Sequence, residues 1–177
     1  MAASTTPVAT GTSEARGPDR FRVHFELHLP HGYEQLWTVL TTDEGLRTWL
    51  CAAEVLERRL GGAVSLRWLN GPSARAGRTF RGHVTAWDVE HVVEYTVAEH
   101  GRIRFHLDAV GTDSTVIRFT DERTGSEADR LDCLAGWHDH FERLAFALEG
   151  RPTDWGSWTD ARWARLRAEY AAVDRAR

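Results

Sequence analysis

The sequence predicts an α+β domain in which a curved antiparallel sheet of about seven strands grips one long helix near the C-terminus. Three observations carry that expectation. Leu131, Leu134, Trp137, His138, Phe141, Leu144, Ala145 and Leu148 recur at steps of three and four, with Asp132, Asp139, Glu142 and Arg143 mostly on the other side, as in an amphipathic helix. The hundred or so residues before it contain short runs of alternating apolar and polar side chains separated by glycine-bearing turns, the pattern of antiparallel strands. Between the first of these runs and the rest lie two short helical segments.

Taken in order, residues 1–19 are rich in Ala, Thr and Ser without an apolar segment, and are expected to be a disordered tail rather than a secretory signal. A half-buried strand follows, with Phe21, Val23, Phe25, Leu27 and Leu29 alternating with Arg22, His24, Glu26 and His28. Tyr33, Leu36, Trp37 and Leu40 space as a short helix. A second begins near Thr41, with Glu44 placed for a capping box and Leu46, Trp49 and Leu50 on its apolar side. Candidate strands then cover 54–59, 63–69, 79–87, 92–98, 103–109 and 115–121, and the connection from Gly71 to Gly77 is expected to be the most mobile. Ser126 with Asp129 has the form of a capping pair for the long helix, and Gly150 before Arg151-Pro152 stops it. Trp163, Leu166, Tyr170 and Val173 share a face of a final helix, with Ser157 and Asp160 as candidate caps. The chain therefore divides into a tail (1–19), one domain (20–150) and an extension whose helix packs on that domain (151–177).

Composition narrows the function classes. Hydrophobic content of 42% and charged content of 27% are those of an ordinary soluble globular chain, and a net charge of −4 provides no general attraction to nucleic acid or an anionic membrane. All 22 basic residues are arginine, consistent with a GC-rich coding sequence; the absence of lysine excludes Schiff-base chemistry, pyridoxal-phosphate attachment and a P-loop lysine. Cys51 and Cys133 follow no metal or redox spacing, which suits two free thiols in a reducing, cytoplasmic setting. No stretch is long and apolar enough to insert in a membrane.

Alternation sorts the faces of the sheet. Val64, Leu66 and Trp68, then Val93, Tyr95 and Val97, then Ile103, Phe105 and Leu107, then Thr115, Ile117, Phe119 and Asp121 should point at the long helix. Phe80 and Val84 join them, and a bulge near Trp87 would reverse the register beyond it. This inner set, with Trp49, Trp137 and Phe141, is strongly aromatic. It reads as an ordinary filled core or as a ligand cavity into which Tyr95, Asp121 and His138 aim polar groups.

The chemical motifs are sparse. His24, Glu26 and His28 share a strand face, but same-face neighbours are ~6.6 Å apart, which places the two histidines too far from each other for one ion. A solvated face is the better reading, and neither metal nor cofactor is expected. His138 and His140 diverge around the helix and cannot chelate together. An inward Asp121 could serve as a general base, with Tyr95 or His138 donating a hydrogen bond to a developing enolate; a strand-end Asp also commonly caps the following turn. The cysteines have no base partner, and neither a Gly-x-Ser-x-Gly elbow nor a dinucleotide-binding glycine run occurs.

Ala135-Gly136-Trp137-His138, Phe141-Glu142-Arg143-Leu144 and Leu148-Glu149-Gly150, followed by Trp163 and Tyr170, resemble the closing helix and tail of proteins named after the activator of heat-shock-protein-90 ATPase. These belong to the START-like (SRPBCC) superfamily of polyketide cyclases and the birch-pollen allergen. Trp37 to Thr41, Leu46, Trp49-Leu50, Gly61-Gly62, Gly82 to Val84 and Thr115 to Phe119 extend the similarity over about Arg20 to Tyr170. The sequence departs at Asp121, where relatives often carry a histidine.

The resemblance implies a helix-grip fold with a hydrophobic tunnel between sheet and helix. It implies a small apolar or aromatic ligand, held among Trp49, Leu66, Trp68, Phe80, Tyr95, Phe105, Phe119, Asp121, Trp137, His138 and Phe141. A cyclase, aromatase or dehydratase using Tyr95, Asp121 and His138 is the alternative. A protein-interaction module built on an exposed Trp155 and Trp158 is a further one, although composition indicates no protein partner. The co-chaperone role, carried by relatives with an additional N-terminal domain, is not expected.

Overall fold

Alternating side chains need two different environments, and the chain provides them with a single antiparallel sheet whose strands run in the order β1-β2-β8-β7-β6-β5-β4-β3. The computed structural model describes residues 7–70 and 77–176, so most of the connection from Gly71 to Gly77 lies outside the described residues. The strands are β1 (Thr12–Gly17), β2 (Arg20–Leu29), β3 (Cys51–Leu56), β4 (Ala63–Trp68), β5 (Thr79–Asp88), β6 (Val92–Val97), β7 (Gly101–Ala109) and β8 (Thr115–Thr124). The helices are α1 (Tyr33–Thr41), α2 (Asp43–Arg47), α3 (Glu127–Leu148) and α4 (Ala161–Arg175), with one 3-10 turn at Trp155–Ser157. This is the helix-grip architecture: the curved sheet holds α3 against its concave face.

Helix α3 forms where its period places it. Ser126 accepts a hydrogen bond from the Asp129 backbone N–H while the Asp129 carboxylate accepts from the Ser126 N–H, completing the capping box. Gly150, at a φ of 78°, ends the helix in the left-handed conformation that glycine adopts without strain. Its apolar stripe meets β2, β7 and β8 through a continuous aromatic core. Phe141 is fully buried and packs on Phe25, Trp49, Phe119 and Trp137 at centroid separations of 4.9–6.2 Å.

Four expectations are corrected. Residues 12–17, placed in a disordered tail, form β1, because the free edge of β2 offers them a ladder from Thr12↔His24 to Gly17↔Arg20. Gly11 just before it donates its N–H to the Tyr170 hydroxyl at 2.9 Å, and a Cβ there would lie 2.4 Å from the Phe25 ring. The sheet therefore has eight strands rather than about seven. Strand β3 starts at Cys51, three residues earlier than its alternation suggested, since pairing with β4 rather than side-chain pattern decides it. Strand β8 continues past Asp121 to Thr124, held by β2 and by the start of β7.

Smaller differences lie at helix ends and in one register. Thr42, not Thr41, caps α2 through Gly45, leaving Glu44 outside any box, and Asp160 precedes α4 without a side-chain cap. The register shift in β5 falls between Val84 and Ala86 and turns Trp87 inward onto Trp37, at 5.0 Å between rings. On α4, Leu166 and Tyr170 are buried, whereas Val173 is 46% exposed.

Candidate functional site

Antiparallel pairing gathers the end of β4, the start of β5, the end of β6, the start of β7 and the end of β8 at one end of the sheet. The first half of α3 crosses the concave side there. Two clusters of side chains occupy this end.

The first is aromatic. Trp68, which is half-buried, stacks on His100 at 4.0 Å and 4°, and Phe80 meets the same imidazole edge-on at 4.3 Å. The Arg78 guanidinium lies 5.0 Å over the Phe80 ring. Leu66 and Phe80 are cross-strand partners, so Leu66 forms the floor beneath them.

The second is charged and buried. Asp121 is wholly inaccessible, and its Oδ2 accepts from the Trp137 indole N–H at 2.7 Å and from Arg123. The Cys133 thiol is 3.5 Å from the same oxygen. Asp121 and Arg123 stand two apart on β8 and therefore share its concave face. Beside Arg123 is Gly101, whose φ is 75°; a Cβ there would sit 2.2 Å from the Glu122 carbonyl oxygen and 2.7 Å from the Arg123 Cβ, so glycine permits the close approach of β8. Burial alone would lower the Arg123 pKa, but the Asp121 and Cys133 sites next to it reverse that and raise it, keeping the side chain a cation. Asp121 Oδ1 and Arg123 Nε make no hydrogen bond with any described residue. An adjacent acceptor and donor are thus held inside the grip with bonding capacity unused.

The three sequence candidates for proton transfer do not converge. Tyr95, Ile103 and Asp121 lie in one row across β6, β7 and β8, which puts Tyr95 and Asp121 ~10 Å apart at ordinary strand spacing. The Tyr95 hydroxyl donates to the Leu40 carbonyl at 2.9 Å, and burial pushes its pKa up, which keeps it a neutral phenol. His138 turns toward α4, with Nδ1 2.8 Å from the Tyr170 hydroxyl and Nε2 3.5 Å from Glu142. Burial raises the pKa of Cys51 and of Cys133, for Cys133 with further help from Asp121, so neither thiol is poised as a nucleophile.

Trp49, Phe105, Phe119, Trp137 and Phe141 touch one another at centroid separations of 4.4–6.3 Å. They form a contacting cluster in the middle of the grip, with Trp68, Phe80 and the Asp121–Arg123 pair toward its end. Arg123 was missed by sequence reasoning. Its parity with Asp121 was a usable signal, hidden because Asp121 to Gly125 reads as a turn.

Elsewhere, His24 pairs with Glu14 on β1 at 3.3 Å and His28 with Glu26 at 2.7 Å. No group of three His, Cys, Asp or Glu among the described residues could hold a metal ion, and no described helix is long and apolar enough to cross a membrane. Trp155 and Trp158, expected to be exposed, are both half-buried. The Trp155 indole N–H reaches the Arg47 carbonyl at 2.7 Å, which removes the motive for an exposed tryptophan docking surface.

Solved structures share this fold. CalU16 from Micromonospora echinospora superposes with a TM-score of 0.71 at 13% identity, covering 98% of this chain and 95% of that one. EF2215 from Enterococcus faecalis, a conserved protein of unknown function, gives 0.69 at 16% identity over 92% and 88%. DynU16, from the dynemicin biosynthetic locus, gives 0.59 at 21% identity over 74% of this chain and 48% of its own. No curated protein sequence matches the chain significantly. The family model of the activator of Hsp90 ATPase homolog 1-like proteins matches residues 31–149, spanning both short helices, six of the eight strands (β3 to β8) and the long helix. By that match over two thirds of its length, with the helix-grip structure to support it, the chain belongs to the activator of Hsp90 ATPase homolog 1-like family.

Proposed function

We propose that the protein binds a small apolar or aromatic molecule carrying one polar group, at the end of the grip that holds Trp68, Phe80 and the Asp121–Arg123 pair. The observation that carries this reading is the unused bonding capacity of Asp121 Oδ1 and Arg123 Nε, two neighbouring buried groups of opposite charge. A buried ion pair has a desolvation cost of several kcal/mol per ion, which makes it a poor choice for stability alone. A hydroxyl or carbonyl on the ligand would complete the pair, and apolar area removed from water against the rings, at about 25 cal/mol per Å², would supply the driving force.

Native mass spectrometry of the purified chain, followed by titration of tryptophan fluorescence with apolar and aromatic compounds, tests the proposal. Saturable binding weakened at least tenfold by Trp68→Ala and by Arg123→Met is expected. Binding unaffected by both substitutions would refute the location. No response from any compound, with no carried-over ligand, would refute the function.

The second reading is cyclase-, aromatase- or dehydratase-like chemistry. It is favoured by the free oxygen of Asp121, which could accept a proton, and by the dynemicin biosynthetic locus from which DynU16 comes. Against it, Tyr95 and His138 are bonded elsewhere. The enzyme reading requires turnover of a bound polyketone that Asp121→Asn abolishes while binding persists.

A further inference from the structure

A second pocket, of about 450 Å³, opens away from the grip, where the end of α3, the segment 151–160 and the start of α4 meet. Its size suits a small organic molecule. Four arginines line it, Arg143, Arg151, Arg162 and Arg165, against one carboxylate, Asp154, which is already engaged by the Gly156 backbone N–H. Phe146 and Trp158 provide its aromatic walls.

The pairing of the arginines decides what could bind. Arg143 is forked onto Asp139 at 3.2 Å through Nε and one Nη, and Arg162 onto Glu142 at 2.8 and 2.5 Å in the same way. Arg151 pairs with Glu149 and lies 4.5 Å over the Phe146 ring. These carboxylates stand outside the lining; they neutralise and immobilise the three guanidiniums. The four guanidiniums and the four carboxylates Asp139, Glu142, Glu149 and Asp154 balance overall, but Arg165 has no ion pair with any described residue and keeps its donors for a ligand. Trp158 Nε1, a donor only, is buried and makes no hydrogen bond with any described residue. Ala161 and Arg162, at the start of α4, present a helix N-terminus without a side-chain cap to the same space. An unpaired guanidinium and an unused indole N–H, beside two aromatic rings, match a carboxylate on a flat apolar body.

We propose that this pocket is a binding site for an aromatic carboxylate, with the carboxylate taken by the Arg165 guanidinium and the Trp158 indole N–H and the ring set against Phe146. A guanidinium fork matches a carboxylate in two parallel hydrogen bonds, and the carboxylates already seated on the other three arginines leave one guanidinium for the ligand, too few for a phosphate dianion.

Titration of the full chain with naphthoate, followed through the indole N–H signals of a proton–nitrogen correlation spectrum, tests the site. The Trp158 signal is identified by its loss in Trp158→Phe. It should shift saturably with naphthoate, at least tenfold more weakly with neutral naphthamide, and at least tenfold more weakly in Arg165→Ala. Arg165 is exposed, so that variant should fold, and an unchanged melting temperature confirms it. Trp68→Ala should leave this titration unaltered, which separates the site from the grip and lets either proposal fail alone. Equal binding of naphthoate and naphthamide, wild-type affinity in Arg165→Ala, stronger competition by inorganic phosphate, or a Trp158 signal that does not move would each overturn the proposal.

Discussion

The Trp137 indole N–H donates to Asp121 Oδ2 at 2.7 Å, tying the middle of the long helix to the last strand at a point with no access to water. Replacing Trp137 with Phe keeps most of the ring surface and removes the donor. A hydrogen bond to a charged group contributes about 1.5–3 kcal/mol, so Trp137→Phe should lower the unfolding free energy by about that amount in urea denaturation. A loss under about 0.5 kcal/mol would show that another donor takes over the oxygen.

Asp121 and Arg123 should behave as a unit. Asp121→Leu or Arg123→Met alone leaves an uncompensated buried charge and should cost about 3–5 kcal/mol, while the double variant should recover most of that loss. Ligand binding in the grip should nevertheless stay impaired in the double variant. Restored stability together with restored binding would mean that the pair serves folding only.

His140 is buried with its Nδ1 2.9 Å from the Trp49 carbonyl, and burial, only partly offset by Asp139 and that carbonyl, lowers its pKa from 6.5 to about 4. The native state resists protonation that the unfolded chain accepts, so nothing is lost above pH 6.5 and stability falls as pH drops from 6.5 toward 4. Over those 2.5 pH units the loss is about 3 kcal/mol, at about 1.4 kcal/mol per unit. His140→Gln cannot titrate, so the difference in unfolding free energy between it and the wild type should shrink by about that much between pH 7 and pH 4. A constant difference would show that His140 protonates in the native state.

Tyr170 joins three segments, since its hydroxyl accepts from the Gly11 N–H at 2.9 Å and meets His138 Nδ1 at 2.8 Å; burial pushes its pKa up to about 12. Tyr170→Phe should leave the Gly11 donor unsatisfied and cost about 1–3 kcal/mol. The same variant should speed amide hydrogen exchange in β1 far more than in β7. Equal acceleration in both strands would show that Tyr170 supports the whole fold rather than the first strand.

By itself the sequence determined the long helix, its capping box and its stop, and the concave-facing residues of β4, β6, β7 and β8, because periodicity and capping depend on residues within a few positions of each other. Only tertiary structure decided that residues 12–17 would complete the edge of the sheet, since a polar segment becomes a strand when a neighbour's free N–H and C=O groups are there to receive it. The polar groups on the buried faces divide in the same way. Alternation placed Asp121 and Tyr95 inward and helical period placed His138 there, but their partners are Arg123 with Trp137, the Leu40 carbonyl, and Tyr170 on the final helix. Two of those three sets bring together residues as far apart as 55 and 32 positions along the chain. Alternation tells which face a side chain takes; which atom it bonds there depends on how distant segments close upon each other.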